Sequence, residues 1–267
     1  MGERRDVTVQ RTQYPAKKQS LTRSQTMLLL LLQKFRFLTT DLAAAVVSKD
    51  RSTLYERFAL LVSRGYVVKR YDSSYRLAQK AARYSLSVAG IAYLRKHTKL
   101  PESSLRRHYG NQAAEEGLVD AHIQAVERYL LLQQALPHHN LFTNYELTKD
   151  EAIRPFPHVY AQPKNQDGTC YFLDYFPPFT ASWLLRRRLS QHQTAEEDDD
   201  VYIYPHVLLV AGNQSTERRL FRLSEPMIQD FRLYITCDEL LHDPSCTHPW
   251  IDVNESDSDE YLRISLS

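Results

Sequence analysis

Arg51, Ser52, Thr53, Tyr55, Glu56 and Arg57 fall within one short stretch. All carry side chains that hydrogen-bond base edges or phosphates: guanidinium groups suit guanine, and hydroxyls reach bases or backbone. Further along, Arg76, Lys80 and Arg83 punctuate a polar segment and offer positive charge to phosphate oxygens. Other chemistries are poorly served. Cys237, His242, Cys246 and His248 are loosely spaced and lack the tight C-x-x-C pair usual in zinc sites. His138 and His139 follow Pro137 and read as loop residues. The chain has only seven glycines and no glycine-rich phosphate loop. The tyrosines lack the Arg/His or His-triad cluster that a recombinase or relaxase nucleophile needs, and no Ser/His/Asp order stands out. No cofactor and no metal are expected.

The elements that must position the first set span residues 39–64, TTDLAAAVVSKDRSTLYERFALLVSR. Thr39 and Thr40 offer N-cap hydroxyls, and Leu42, Ala43, Val46 and Val47 make one apolar face. SKDR breaks the pattern. Ser52 is expected to cap a second helix, in which Leu54, Phe58, Leu61 and Val62 recur at helical spacing. The small residues Ala43 to Ala45 allow a close crossing. This is the layout of a helix-turn-helix, whose second helix enters the DNA major groove. Two ordinary core helices are the plainer alternative. Upstream, Thr22 and Gln25 form a capping-box pattern ahead of a leucine-rich helix reaching about Phe35. Downstream, Gly65 stands at the expected C′ position. Residues 66–71 alternate like a strand, 72–83 read as a polar basic loop, and 84–86 as the return strand. Such a wing carries Arg76, Lys80 and Arg83 toward phosphates or the minor groove. Ser87 then caps another helix.

Charge divides the chain. Residues 1–110 hold 22 Lys and Arg against 7 Asp and Glu, a balance of +15; residues 111–267 hold 12 against 25, a balance of −13. A nucleic-acid-binding half and a half that is not one are expected. Three cysteines are too few and odd in number for a disulfide framework, which points to a reducing cytoplasm. The longest apolar run, 27–32, is too short to span a bilayer, so no membrane partner is expected. Residues 1–19 lack the apolar stretch of a secretory signal and read as a flexible basic arm.

Residues 98–117 are polar and read as a linker. Residues 118–135 form an amphipathic helix in which His122 reads as a packing or hydrogen-bonding residue. Strands are expected at 141–147, 158–162, 170–176, 201–210 and 233–237, with helices at 179–191 and 216–231. This order indicates an α/β domain with a mixed sheet over 118–250. The acidic tail 251–267 is expected to be loose.

The run SLTRSQTMLLLLLQKFRFLTT, the helix ending in SRGYV, and YSLSVAGIAYL together resemble the winged-helix domain of the replication-relaxation family, proteins of plasmids and mobile elements. Phe37 to Leu42 match its F-L-T-T-x-x-L opening. Tyr84 to Gly90 match its Y-x-L-T-x-A-G ending, with Ser87 where the family usually has Thr. The likeness covers roughly 20–97. It implies a second domain with a reduced restriction-endonuclease-like core, which the order of elements after residue 118 also resembles. A working nuclease of that kind places an acid at one strand start and acid-x-Lys on the next, to hold Mg²⁺ and activate water. The first position falls at Pro157-His158. The second supplies Asp174, with Phe176 where the lysine belongs. Glu146 and Asp174 alone make a weak hydrolytic pair.

The expectation is therefore an α+β chain: a winged helix-turn-helix at 20–97 and an inactive α/β restriction-endonuclease-like domain with a mixed sheet at 118–250. Its partner is double-stranded DNA, read by Arg51, Ser52, Thr53, Tyr55 and Arg57 and held by Arg76, Lys80 and Arg83. The role implied by resemblance is control of replication, relaxation or transcription on a mobile element. The C-terminal half would serve homodimerisation or dock a partner protein through its acidic surface. Two other readings are a metal-dependent nuclease with a displaced lysine and a protein-interaction adaptor.

Overall fold

The computed structural model describes residues 20–147, 157–165, 168–197, 204–227, 231–256 and 260–266. The arm at 1–19 and the acidic run at 198–200 lie outside them. Helix α1 (Arg23–Phe35) opens with the capping box: Gln25 N–H donates to Thr22 Oγ1 at 3.3 Å, and Thr22 N–H to Gln25 Oε1 at 3.0 Å. Its Leu28, Leu29 and Leu32 are fully buried, as a helix apolar on several sides must be. Helices α2 (Thr40–Val47) and α3 (Arg51–Ser63) follow. At the end of α3, Gly65 takes φ +77°, so that Gly65 N–H reaches Val62 O and Tyr66 N–H reaches Leu61 O. These paired bonds end the helix in a Schellman motif.

Strand β1 (Val67–Arg70) pairs antiparallel with β2 (Arg83–Leu86), Val67 opposite Leu86 and Arg70 opposite Arg83. Between them the expected open loop contains a short helix, α4 (Ser73–Leu77), because Asp72 Oδ1 accepts Ser74 N–H at 2.9 Å and Tyr75 N–H at 3.2 Å. Helix α5 (Val88–His97) is capped by Ser87 and lies against the exit of α3. A Cβ on Gly90 would come within 2.2 Å of Tyr66 O, so glycine is required for this approach. The stretch read as a linker is instead packed. It carries α6 (Glu102–Arg106), and Leu105, His108 and Asn111 are buried. Its polar groups find internal partners: Arg36 Nε–H donates to Asn111 Oδ1 at 2.8 Å, and Arg70 Nη2 donates to the carbonyls of Asn111, Gln112 and Ala114.

Helix α7 (Glu116–Ala135) leads into a seven-stranded sheet in the order β3 (His139–Thr143), β4 (Val159–Pro163), β5 (Tyr171–Phe176), β6 (His206–Ala211), β7 (Leu233–Cys237), β8 (Trp250–Asp252), β9 (Arg263–Ile264). The first three strands form an antiparallel meander. Strands β5, β6 and β7 are parallel, joined through α8 (Ser182–Glu197) and α9 (Gln214–Ser224), and β8 and β9 return antiparallel. The mixed sheet of the sequence reading is present. The tail expected to be loose contributes β8 and β9, and a short helix α10 (Asp238–His242) follows β7.

Val207 to Ala211 of β6 are all fully buried. Alternate side chains point to opposite faces of a strand. Leu208 and Val210 join a core with α1, α3, β2 and α7, whereas Val207, Leu209 and Ala211 join Leu185, Leu189, Leu220 and Phe221 of α8 and α9. Burial of each such aliphatic side chain contributes roughly 1.5–3 kcal/mol. One apolar core thus runs without interruption from the N-terminal helices onto one face of the sheet. Among the described residues, no helix is long and apolar enough to cross a membrane.

Candidate nucleic-acid interface

Two short helices meet at a fixed turn and leave one face of the second exposed. Thr39 Oγ1 accepts Leu42 N–H at 3.2 Å at the start of α2, and Ser48 closes that helix in the left-handed region, φ 50°. Asp50, not Ser52, caps α3. Its Oδ2 accepts Ser52 N–H at 2.9 Å and Thr53 N–H at 3.2 Å, and also binds the Ser52 hydroxyl. These bonds hold the Asp50 carboxyl below its usual pKa, the Ser52 hydroxyl contributing most. Leu54, Phe58 and Leu61 face inward, and Phe58 stacks on Tyr84 of β2 with ring centroids 4.3 Å apart. Helix and hairpin are thereby locked together.

The sequence-predicted residues divide on this frame. Ser52 and Tyr55 are exposed, Tyr55 by 55%. Arg51 is exposed but tied to Asp41 of α2 at 2.7 Å. Thr53 is half-buried. Arg57 sits at the border of the core, with Nη1 buried and unbonded among the described residues. Glu56 and Ala59 complete the outward face.

The hairpin cations divide as well. Arg76 is exposed at α4, next to Leu77. Lys80 and Arg83 are engaged by the first turns of α7. Arg83 Nη1 donates to Glu116 Oε1 at 2.6 Å and Nη2 pairs with Asp120; Lys80 Nζ reaches Asp120 Oδ2 at 3.1 Å. Tyr75 Oη also donates to Glu116, at 2.8 Å. Burial alone would raise the Asp120 carboxyl, but Lys80 and Arg83 hold it below its usual pKa. In this arrangement Lys80 and Arg83 fasten the hairpin to α7 and leave Arg76 as the exposed cation of the three. Nothing near them in sequence marks Glu116 and Asp120 as partners, beyond an acidic spacing of four on one helix face.

The two positions compared with a nuclease's acids, His158 and Asp174, lie side by side. His158 Nδ1 lies 3.0 Å from Asp174 Oδ1, and Asp174 is fully buried. Arg188 of α8 clasps both carboxylate oxygens, at 2.5 and 2.9 Å, and His192 Nε2 adds a contact at 2.8 Å. Burial would raise this carboxyl strongly, yet His158, His192 and Arg188 hold it well below the usual range. Both carboxylate oxygens are held by Arg188, with His158 beside one and His192 beside the other. Glu146, the other candidate acid, is turned to Lys34 at 2.9 Å and to Thr143 N–H. Among the described residues no three His, Cys, Asp or Glu side chains are placed to hold a metal ion. Arg188 and His192 were not singled out by sequence reading; their i, i+4 spacing on α8 is the trace they leave. His122 bonds Tyr145 Oη at 2.7 Å and Leu118 O at 2.9 Å, the tethered role expected of it.

No protein-family model, curated protein or solved structure matches the chain.

Proposed function

We propose that the chain binds double-stranded DNA sequence-specifically through a winged helix-turn-helix at its N-terminal end, with α3 in the major groove. The carrying observation is α3 itself: rigidly capped at Asp50, stopped at Gly65, stacked on the hairpin through Phe58, and turning Ser52 and Tyr55 to solvent. Tyr55 and, once released from Asp50 and Asp41, Ser52 and Arg51 contact bases; Arg76 contacts a phosphate. The balance of +15 over residues 1–110 supplies the electrostatic attraction that such binding needs.

The C-terminal sheet is read as a reduced restriction-endonuclease-like core that no longer cuts. Meander, crossover helix and parallel strand follow in that order, and the carboxylate that would hold a cation is instead neutralised by Arg188. Resemblance of the sequence to the replication-relaxation family favours a role in replication, relaxation or transcription control on a plasmid or mobile element. The C-terminal half then serves a homodimer or a protein partner. Fluorescence anisotropy of labelled duplex, with wild type and α3 variants, tests the reading.

A further inference from the structure

Pro177, Pro178 and Phe179 leave the C-terminal end of β5 in a tight turn, Thr180 N–H returning to Pro177 O at 3.2 Å. Phe179 adopts φ +67°, a conformation that favours glycine and strains a bulky side chain. Its ring is 91% exposed. The turn is pinned to the neighbouring strand end: Gly212 N–H donates to Phe176 O at 2.8 Å, and a Cβ on Gly212 would fall 2.2 Å from Pro178 Cδ. The fold thus tolerates backbone strain and an exposed ring together, and the ring buries almost nothing in return. Strain of this kind persists where a site uses it.

The surroundings identify the ligand. Trp183, in the first turn of α8, is 62% exposed, whereas the chain's other tryptophan, Trp250, is buried. Arg186 and Arg187 stand one turn further on, exposed and without an ion pair among the described residues. Arg187, Leu184 and Gln191 line a cleft of about 580 Å³ with Phe179, and His158 and Asp174 lie within it. Asp174 is the one carboxylate among the lining residues, and Arg188 neutralises it. Phe179 and Arg187 line the cleft, and Trp183 stands one turn before Arg187 on α8; exposed rings beside a guanidinium are the composition that stacks unpaired bases and follows a phosphate backbone.

We propose that this surface binds single-stranded nucleic acid, with bases stacked on Phe179 and Trp183 and a phosphate against Arg187. The surface is separate from α3, so this binding stands or falls independently of duplex recognition.

The test is titration of the full chain with single-stranded oligothymidylate at low salt, read by anisotropy and by tryptophan emission. Wild type is expected to bind with quenching of Trp183. Phe179→Gly and Trp183→Ala are each expected to weaken binding about 5- to 150-fold, the loss of one stacked base at ~1–3 kcal/mol. Phe179→Gly should melt no lower than wild type, because glycine suits that backbone, and duplex affinity should be unchanged. Trp183→Phe should bind nearly as well with the quenching gone. No binding by wild type, or wild-type binding by Phe179→Gly, overturns the proposal. So does light scattering that finds a wild-type dimer dissociated by Phe179→Gly without oligothymidylate binding, since a second copy would then be the occupant.

Discussion

Replacing Glu116 and Asp120 together by Gln and Asn leaves Arg70, Lys80 and Arg83 gathered without the carboxylates they now contact. The Arg83 side chain is only 7% exposed, so water cannot replace the lost charge. Removing one side of a buried ion pair costs ~3–5 kcal/mol. The two acids are 40% and 35% exposed and the amides keep an acceptor oxygen, so the expected loss is at the lower end, about 3 kcal/mol. The reverse change, Arg83→Met, leaves half-exposed carboxylates that hydrate and still meet Lys80 and Arg70, and methionine replaces the apolar stem. That should cost about 1 kcal/mol. Adding Arg83→Met to the Glu116/Asp120 double variant should then recover about 2 kcal/mol where additivity predicts a further loss of about 1, a coupling of about 3 kcal/mol and well above additivity error. Urea unfolding followed by far-UV circular dichroism reads all three. Equal costs on the two sides, or no recovery in the triple variant, would show that the contact is a loose surface pairing and refute the reasoning.

Asp174→Asn should destabilise by ~3–5 kcal/mol in the same assay, because Arg188 loses its counter-charge and the buried His192 loses a carboxylate partner; a change below ~1 kcal/mol would mean that the cluster is solvated. The His108 ring, 1% exposed, is pushed down to about 4 by burial and by the nearby Arg36 charge. The unfolded chain therefore binds a proton that the folded chain refuses between about pH 6.5 and 4. Stability is full above that window and falls by about 3 kcal/mol through it. Urea midpoints at neutral and mildly acidic pH should diverge in wild type and less so in His108→Gln; an equal divergence in both contradicts the assignment.

Long periodic segments carried most of the fold in plain view. The leucine run of α1, the spacing Leu54-Phe58-Leu61 and the apolar β6 place helices and a mixed sheet, because burial alone dictates those patterns. Five-residue helices such as α4, and strands as short as β9, hold too few residues for periodicity, so a cap at Asp72 or an edge pairing decides them instead. Residues 98–117 look like a linker because the polar groups there are satisfied inside the fold by distant side chains, Arg36 and Arg70. The site divides along the same line. Ser52 and Tyr55 could be assigned to an outward helix face from local spacing. The engagement of Arg83 by Glu116 and Asp120, and of Asp174 by Arg188 and His192, arises between elements distant in sequence or from a crossover that local pattern does not encode. The left-handed Phe179 leaves no sequence signal at all, since proline at the second turn position accepts many successors.

Duplex affinity against salt bears most directly on the DNA-binding claim, measured for wild type and for a variant combining Ser52→Ala, Tyr55→Ala and Arg76→Ala. Wild type is expected to retain duplex DNA at low salt, with the logarithm of affinity falling linearly as salt rises. The variant should lose sequence preference, by ~1–3 kcal/mol for each base contact removed, and its salt slope should be shallower by about one phosphate. A wild-type chain that ignores duplex DNA at low salt, or a variant indistinguishable from it in preference and slope, would contradict the assignment of α3 to the major groove.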